Sequence, residues 1–476
     1  MTETTHPDEL TVQVGYRVST EQQAVQAALL RELEAEIAAF VGRLSLVDRG
    51  ATFLTPFQAG PALLTLRADG AIEEARARLL LALAGARSAG SALSAAALAY
   101  DEAERRAHEL ARGLGSLLGY GMGLFGPLAL IWILSPLIAA VTGIGVAAAL
   151  HPHGAELLQA GAAAWWAEHR DILSDPLTVE LLRAAIMGSD DVLGGALHLP
   201  PALVLLLGDQ GLGVTGVSTT AALVVALANG AGTLKEAPVT VTRTATSAVT
   251  APTGLRDRLA RVPHGVPHQV RVERYPMPGK ADRVEVFIGG TVDGSLFTGE
   301  QPWDMTSNAH GVAALHPASL RAVREALADA GVAAGDRIGI TGYSQGALVG
   351  ALIAASGDYD VGFLLEAGGP SGQVAVPESV THVRLDHTAD LVTALGGDVR
   401  GEHTVQVRRD GVPADTGLAL PAHQYAFYLQ TAEFADRSPH PEIRSVIEAA
   451  DAPLHGAGRG VAGDWLAVRQ VSGARE

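Results

Sequence analysis

Apolar and polar residues are arranged in three different ways along this chain, and each arrangement predicts a different kind of element. Over residues 19–46, Val25, Ala28, Leu29, Leu33, Ile37 and Phe40 recur at helical spacing. Ser19-Thr20-Glu21-Gln22 opens that run as a capping box, with Ser19 as N-cap and Gln22 three residues on. A stretch punctuated by Gly and Pro follows over residues 48–70. A second helical run, alanine-rich and charged on one side, covers residues 71–112. The prediction for residues 1–112 is an all-α hairpin of two long antiparallel helices.

The second arrangement is continuous apolarity. No charged residue occurs in 113–150. Within that stretch, residues 124–144 are long enough to span a hydrocarbon core of roughly 30 Å as a helix. Gly126, Pro127, Pro136 and Gly143 fall inside it, and a membrane helix tolerates these better than a soluble one does. Weaker apolar runs cover 193–207 and 214–228, separated by Asp209. Residues 155–172, carrying Trp165 and Trp166, suit an interfacial helix. Residues 113–234 are therefore predicted to be an apolar, Gly/Ala-rich helical region, either a lid over a catalytic mouth or a membrane-associated segment.

From about Lys235 the period changes to two. Residues 239–250 are rich in Thr and Val and read as a strand or a linker. Residues 269–275 and 283–288 alternate as half-buried strands do, and 336–341, 361–365, 382–385 and 404–408 supply further strands. A helix is predicted over 317–330. Strands alternating with helices imply an α/β domain over 235–476, with a mostly parallel sheet and right-handed crossovers.

The candidate chemistry lies where one such strand meets a helix, at Gly342-Tyr343-Ser344-Gln345-Gly346. Strand, Gly-x-Ser-x-Gly, helix is the setting of a nucleophile elbow. The turn is so tight that side chains at the flanking positions would strike neighbouring backbone, which accounts for Gly342 and Gly346. Ser344 is the predicted nucleophile. The amide of Gln345 opens a helix whose amino end favours an oxyanion. A second oxyanion donor is expected from the Gly289-Gly290-Thr291 loop, with Thr291 favoured and Gly290 behind it.

In hydrolases built this way the acid and the histidine follow the serine, in that order. Asp390 is the predicted acid, pinned by Leu391, Val392 and Leu395. Asp386 is the runner-up, and His387 a supporting residue. Among the later histidines, His403 enters a strand, His440 sits between two prolines and His455 lies further on. His423 precedes the helical run 424–428 and is the predicted base.

Composition sets the outer limits. A chain of 476 residues is too long for one ordinary core. With no cysteine, disulfides, thiolate metal sites and a cysteine nucleophile are excluded, and neither a metal nor a cofactor is expected. A net charge of −17 argues against a nucleic-acid partner. The mean hydropathy of +0.22 is high, and the excess is concentrated in the middle of the chain. Residues 1–10 are polar and acidic, so no Sec or twin-arginine signal peptide is expected there, and export would need another route.

Two resemblances add to this. The helical front end resembles the WXG100-like hairpins of actinobacterial type VII secretion substrates, and Tyr100-Asp101-Glu102-Ala103-Glu104 matches their Tyr-x-x-x-Asp/Glu signature, although no Trp-x-Gly marks the turn. Gly-Tyr-Ser-Gln-Gly is similar to the serine motif of cutinases and PE-PPE hydrolase domains. More closely, residues 270–435 resemble actinobacterial α/β-hydrolases attached to WXG100-like regions. Pro302-Trp303-Asp304-Met305-Thr306-Ser307-Asn308 and the His387 to Val392 segment carry that resemblance. It implies a secreted or cell-envelope-associated serine esterase or lipase acting on small-molecule or lipid acyl esters. Its partners would be a secretion component through the hairpin and a membrane through 113–150. The chain lacks the disulfide cysteines of cutinases, so no particular polyester is implied. A non-catalytic secreted scaffold on a hydrolase fold is the alternative expectation, and a toxin-like phospholipase effector is a third.

Overall fold

The structure is a computed structural model and describes residues 10–14, 32–43, 73–88, 91, 174–196, 198–208, 213–230, 232–295, 297–401, 403–410 and 420–471. The capping box at Ser19, the Tyr100–Glu104 signature, the 113–150 stretch and Trp165–Trp166 lie outside the described residues. The chain divides into two compact units, Tyr16–Arg112 and a larger one made of Met1–Gly15 with Gly113–Glu476. In the first, helices α1 (32–43) and α2 (73–88) are tied by Arg87 Nε to Glu34 Oε1 at 2.6 Å. That pair is exposed and contributes little by itself.

Among the described residues the larger unit is organised by one sheet of nine strands. In chain order they are β1 (Leu10–Val14), β2 (Val239–Val249), β3 (Val270–Tyr275), β4 (Arg283–Ile288), β5 (Arg337–Tyr343), β6 (Asp360–Ala367), β7 (Thr381–His387), β8 (Val405–Arg409) and β9 (Gly460–Arg469). Their spatial order is β1-β8-β7-β6-β5-β4-β3-β9-β2. The parallel part is the centre, β4 through β8. Toward both margins the pairing turns antiparallel, β1 on β8 at one side and β4-β3-β9-β2 at the other. The sheet is thus mixed, with the expected parallel strands in its middle and antiparallel pairs at its margins.

Two strands go beyond the sequence expectation. Leu10–Val14, assigned above to the hairpin region, joins the sheet beside β8 with Val12 opposite Val407. β9 threads between β2 and β3. Its Gly463 and Asp464 interrupt any apolar alternation, and Gly463 is required because a Cβ there would lie 2.4 Å from the Trp465 ring.

Among the described residues the α-helices of the larger unit are α3 (Pro176–Met187), α4 (Ser189–Ala196), α5 (Pro201–Leu207), α6 (Val217–Gly230), α7 (Gly254–Ala260), α8 (Met305–Val312), α9 (Ala318–Asp329), α10 (Gln345–Ser356), α11 (Leu391–Ala394), α12 (Tyr425–Arg437) and α13 (Pro441–Asp451). One core holds Val323 and Leu327 of α9 and Ile353 of α10 with Val286 and Ile340 of the strands. A second holds Leu255, Tyr428 and Ile443, from α7, α12 and α13, with Phe287 and Leu385. Helices therefore cover both faces of the central strands. This is why β5 is buried along its length after Arg337 and carries no polar-out alternation. Among the described residues no helix is long and apolar enough to cross a membrane.

One buried carboxyl gives this sheet a pH dependence. Glu285 of β4 faces Glu273 of β3 and lies against Gly339 of β5, where any Cβ would come within 2.6 Å of its Oε1. Its nearest cation, Arg258, is 3.6 Å away. Burial, with Glu273 adding to it against the opposing pull of Arg258, raises the pKa from 4.5 to about 7. The folded chain then binds a proton between those values that the unfolded chain releases. The contribution of Glu285 to stability therefore falls as pH rises from 4.5 to 7, by about 3 kcal/mol. Glu285→Gln is expected to flatten that part of the stability curve, measured by urea unfolding at pH 5 and pH 8. An unchanged pH slope would refute the assignment.

Candidate active site

β5 ends at Tyr343 and α10 begins at Gln345, so a single residue makes the turn between them. Ser344 does so with φ 54° and ψ −120°, a conformation that costs a non-glycine residue about 1–3 kcal/mol. The chain is held there by its surroundings. The Ser344 amide donates to the Ala367 carbonyl at 2.8 Å. A Cβ at position 342 would sit 2.3 Å from the Gly346 oxygen, and one at 346 would sit 2.2 Å from the Ile288 oxygen. Two glycines let the strand, the turn and the helix pack this closely, and the hydroxyl is left at the carboxyl edge of the sheet.

Two further strand ends bring the partners. Asp390 follows β7 and is the N-cap of α11, accepting from the Val392 amide at 2.9 Å. His423 closes a short 3-10 turn, Pro421–His423, immediately before α12. Its Nε2 lies 2.8 Å from Ser344 Oγ, and its Nδ1 lies 2.7 Å from Asp390 Oδ2. Nδ1–H donates to the carboxylate, which leaves the Nε2 lone pair facing the serine hydroxyl. The three residues expected to act together are brought together, on elements far apart in the chain. Asp390 is 1 % exposed and Ser344 5 %, so this line of hydrogen bonds lies largely out of bulk solvent, where its electrostatics count for more.

The other candidates stand elsewhere. Asp386 is buried within β7, where burial disfavours its charge but Arg384 and the Gln406 amide, 2.5 Å away, outweigh it and hold the carboxyl below its usual range. His403 is exposed and paired with Glu378. His440 accepts from the Glu442 amide as the N-cap of α13. His455 is exposed beyond α13.

On the expected oxyanion side, the Gly289-Gly290-Thr291 loop lies against the elbow. A Cβ on Gly290 would be 3.1 Å from Ser344 Cβ and 2.9 Å from the Tyr343 ring. Thr291 is anchored by its hydroxyl, which accepts from Asn308 Nδ2 at 2.9 Å and reaches Gln345 Oε1 at 3.4 Å. Asn308 belongs to α8, whose N-cap is Asp304. Asp304 in turn is gripped by Arg469 of β9 at 2.5 and 3.0 Å, both side chains fully buried. The Pro302–Asn308 motif therefore positions this loop from beneath.

Residues missed at the sequence level support the predicted acid and base. Tyr428 donates its hydroxyl to Asp390 Oδ2 at 2.6 Å; burial and the Asp390 charge hold the phenol protonated. Tyr343 donates to the His423 carbonyl, and its ring stacks on the His423 ring at 5.4 Å. His264 stacks on Tyr425 at 4.4 Å and meets the Tyr343 ring edge-on. The sequence marked Tyr428 only as a member of the helical run 424–428, and nothing local marks its hydroxyl. Among the described residues no group of three His, Asp or Glu side chains could hold a metal ion. No protein-family model, curated protein or solved structure matches the chain.

Proposed function

We propose that the protein is a serine hydrolase that cleaves carboxylic esters by way of an acyl-enzyme. The observation that carries this reading is the unbroken line Ser344 Oγ, His423 Nε2, His423 Nδ1, Asp390 Oδ2, with gaps of 2.8 and 2.7 Å at a strained elbow. In the first half-reaction His423 takes the hydroxyl proton as Ser344 Oγ bonds to the ester carbonyl carbon. Asp390 steadies the imidazolium. The carbonyl oxygen, now negative, is met by the amide of Gln345 at the start of α10 and by the Gly290-Thr291 loop. The carbon–oxygen bond to the alcohol breaks, and His423 returns the proton to that oxygen. In the second half water loses a proton to His423 and frees the acid, restoring Ser344.

Lipid or other acyl esters are the favoured class. α5 and α6 carry no charged side chain, and α6 packs against α8, which anchors Thr291. Export by a type VII route and a place at the cell envelope are part of the same proposal and rest on the sequence motifs. The test is labelling of the full chain with a fluorophosphonate probe. Wild type should be modified at Ser344 and turn over p-nitrophenyl esters, and Ser344→Ala should do neither. A folded wild type that is inert in both assays would support a non-catalytic scaffold instead.

A further inference from the structure

A second histidine lies behind the first and touches none of the reacting atoms. His387 ends β7 and is 1 % exposed. Its Nδ1 is 2.6 Å from the carbonyl of Ala422, the residue immediately before His423, and its Nε2 is 2.8 Å from Thr431 Oγ1 on α12. A carbonyl can only accept, so Nδ1 carries the hydrogen, and the Nε2 lone pair shares the single threonine hydroxyl hydrogen with the Phe427 carbonyl, which lies 3.0 Å from Thr431 Oγ1. Arg409 Nη1, 3.4 Å from Thr431 Oγ1, donates into it. The ring also stacks on Tyr428 at 3.9 Å and 16°, and Tyr428 holds Asp390. One imidazole is thus in contact with the backbone that carries the base and with the phenol that holds the acid.

Resting on the serine-hydrolase reading above, we propose that His387 is a positioning residue that fixes His423 and Asp390 relative to each other. Two features fit that task and no proton-transfer task. Neither nitrogen faces Ser344, and burial pushes the pKa down to about 4, so the ring stays neutral with one fixed tautomer. A buried neutral donor on the Ala422 carbonyl sets the height of the 3-10 turn. The flat face against Tyr428 then sets the distance at which the phenol can meet the carboxylate. Displacing the base by about 1 Å is enough to cost about 100-fold in rate.

The experiment compares His387→Phe with His387→Asn in the full chain. Phe keeps a flat ring for Tyr428 and lacks the donor; the Asn amide can place an N–H where Nδ1 stood. Fluorophosphonate labelling is followed as maximal rate and half-saturating probe concentration, with melting temperature alongside. The expected result is a maximal rate about 100-fold lower in His387→Phe with half-saturation unchanged, and recovery of most of that loss in His387→Asn. If both variants label like wild type, or both slow only in step with their loss of melting temperature, the proposal is overturned. If His387→Phe does not fold, Thr431→Val tests the same relation by freeing the Nε2 side, and a maximal rate equal to wild type overturns it. A wild type that does not label at all removes the serine-hydrolase reading itself, an outcome separate from these.

Discussion

His423→Ala is expected, on the serine-hydrolase reading proposed above, to lower ester turnover by about 10⁶-fold while leaving the fold intact, because without Nε2 nothing takes the proton from Ser344. Asp390→Asn should cost about 10³–10⁴-fold. Its carboxylate now accepts from His423, Tyr428 and the Val392 amide at once. An asparagine has one oxygen for three donors, so an amide N–H must face either Val392 or the His423–Tyr428 pair. The charge that steadies the imidazolium is also lost. The two losses should not add, since a machine missing its base gains nothing from its acid. Steady-state hydrolysis of a p-nitrophenyl ester by the two single variants and the double variant measures this. More than a hundredth of wild-type activity in His423→Ala would remove this histidine from the mechanism.

The second large effect is on stability. Arg469→Met is expected to destabilise the larger unit by about 3–5 kcal/mol, because it leaves Asp304 buried with a charge and no cation. Glu236 loses a neighbour at 3.3 Å too, but keeps Arg321. Arg469→Met combined with Asp304→Asn should recover much of the loss. Asparagine still accepts from the Ser307 amide as N-cap and carries no charge to desolvate. Urea unfolding of the two variants beside wild type decides it. A loss under about 1 kcal/mol for the single variant would mean that the pair is hydrated in solution. The same variant should slow probe labelling, since Asp304 begins the helix whose Asn308 holds Thr291.

What was legible in the sequence and what was not divide along physical lines. The elbow could be read because it is local: an alternating strand, two glycines and an Ala-rich helix lie within twenty residues. Asp390 and His423 could be chosen because chain order and strand ends restrict where each partner can stand. Tyr428 and His387 could not be assigned their contacts, because these depend on the angle at which α12 crosses the sheet. β9 escaped notice for a different reason. Its glycine and aspartate break the period-two pattern, and only the neighbouring Trp465 ring and the Arg271–Asp464 pair explain why they are tolerated. β1 is five residues in a polar setting, and its partner strand lies almost four hundred residues away. The antiparallel margins of the sheet follow from these two strands together with the antiparallel β3–β4 pair.

The place of β9 has a consequence for biosynthesis. During translation the ribosome releases β2 and β3 long before the segment that must slide between them, and neither can complete its hydrogen bonding without it. Until residue 469 has emerged, Asp304 also lacks its guanidinium partner and the Thr291 loop its lower support. The surroundings of Ser344 proposed above as a hydrolase site are therefore completed only after β9 has left the ribosome, so a chain stalled before residue 469 would reach the cell's quality control with that site unsupported.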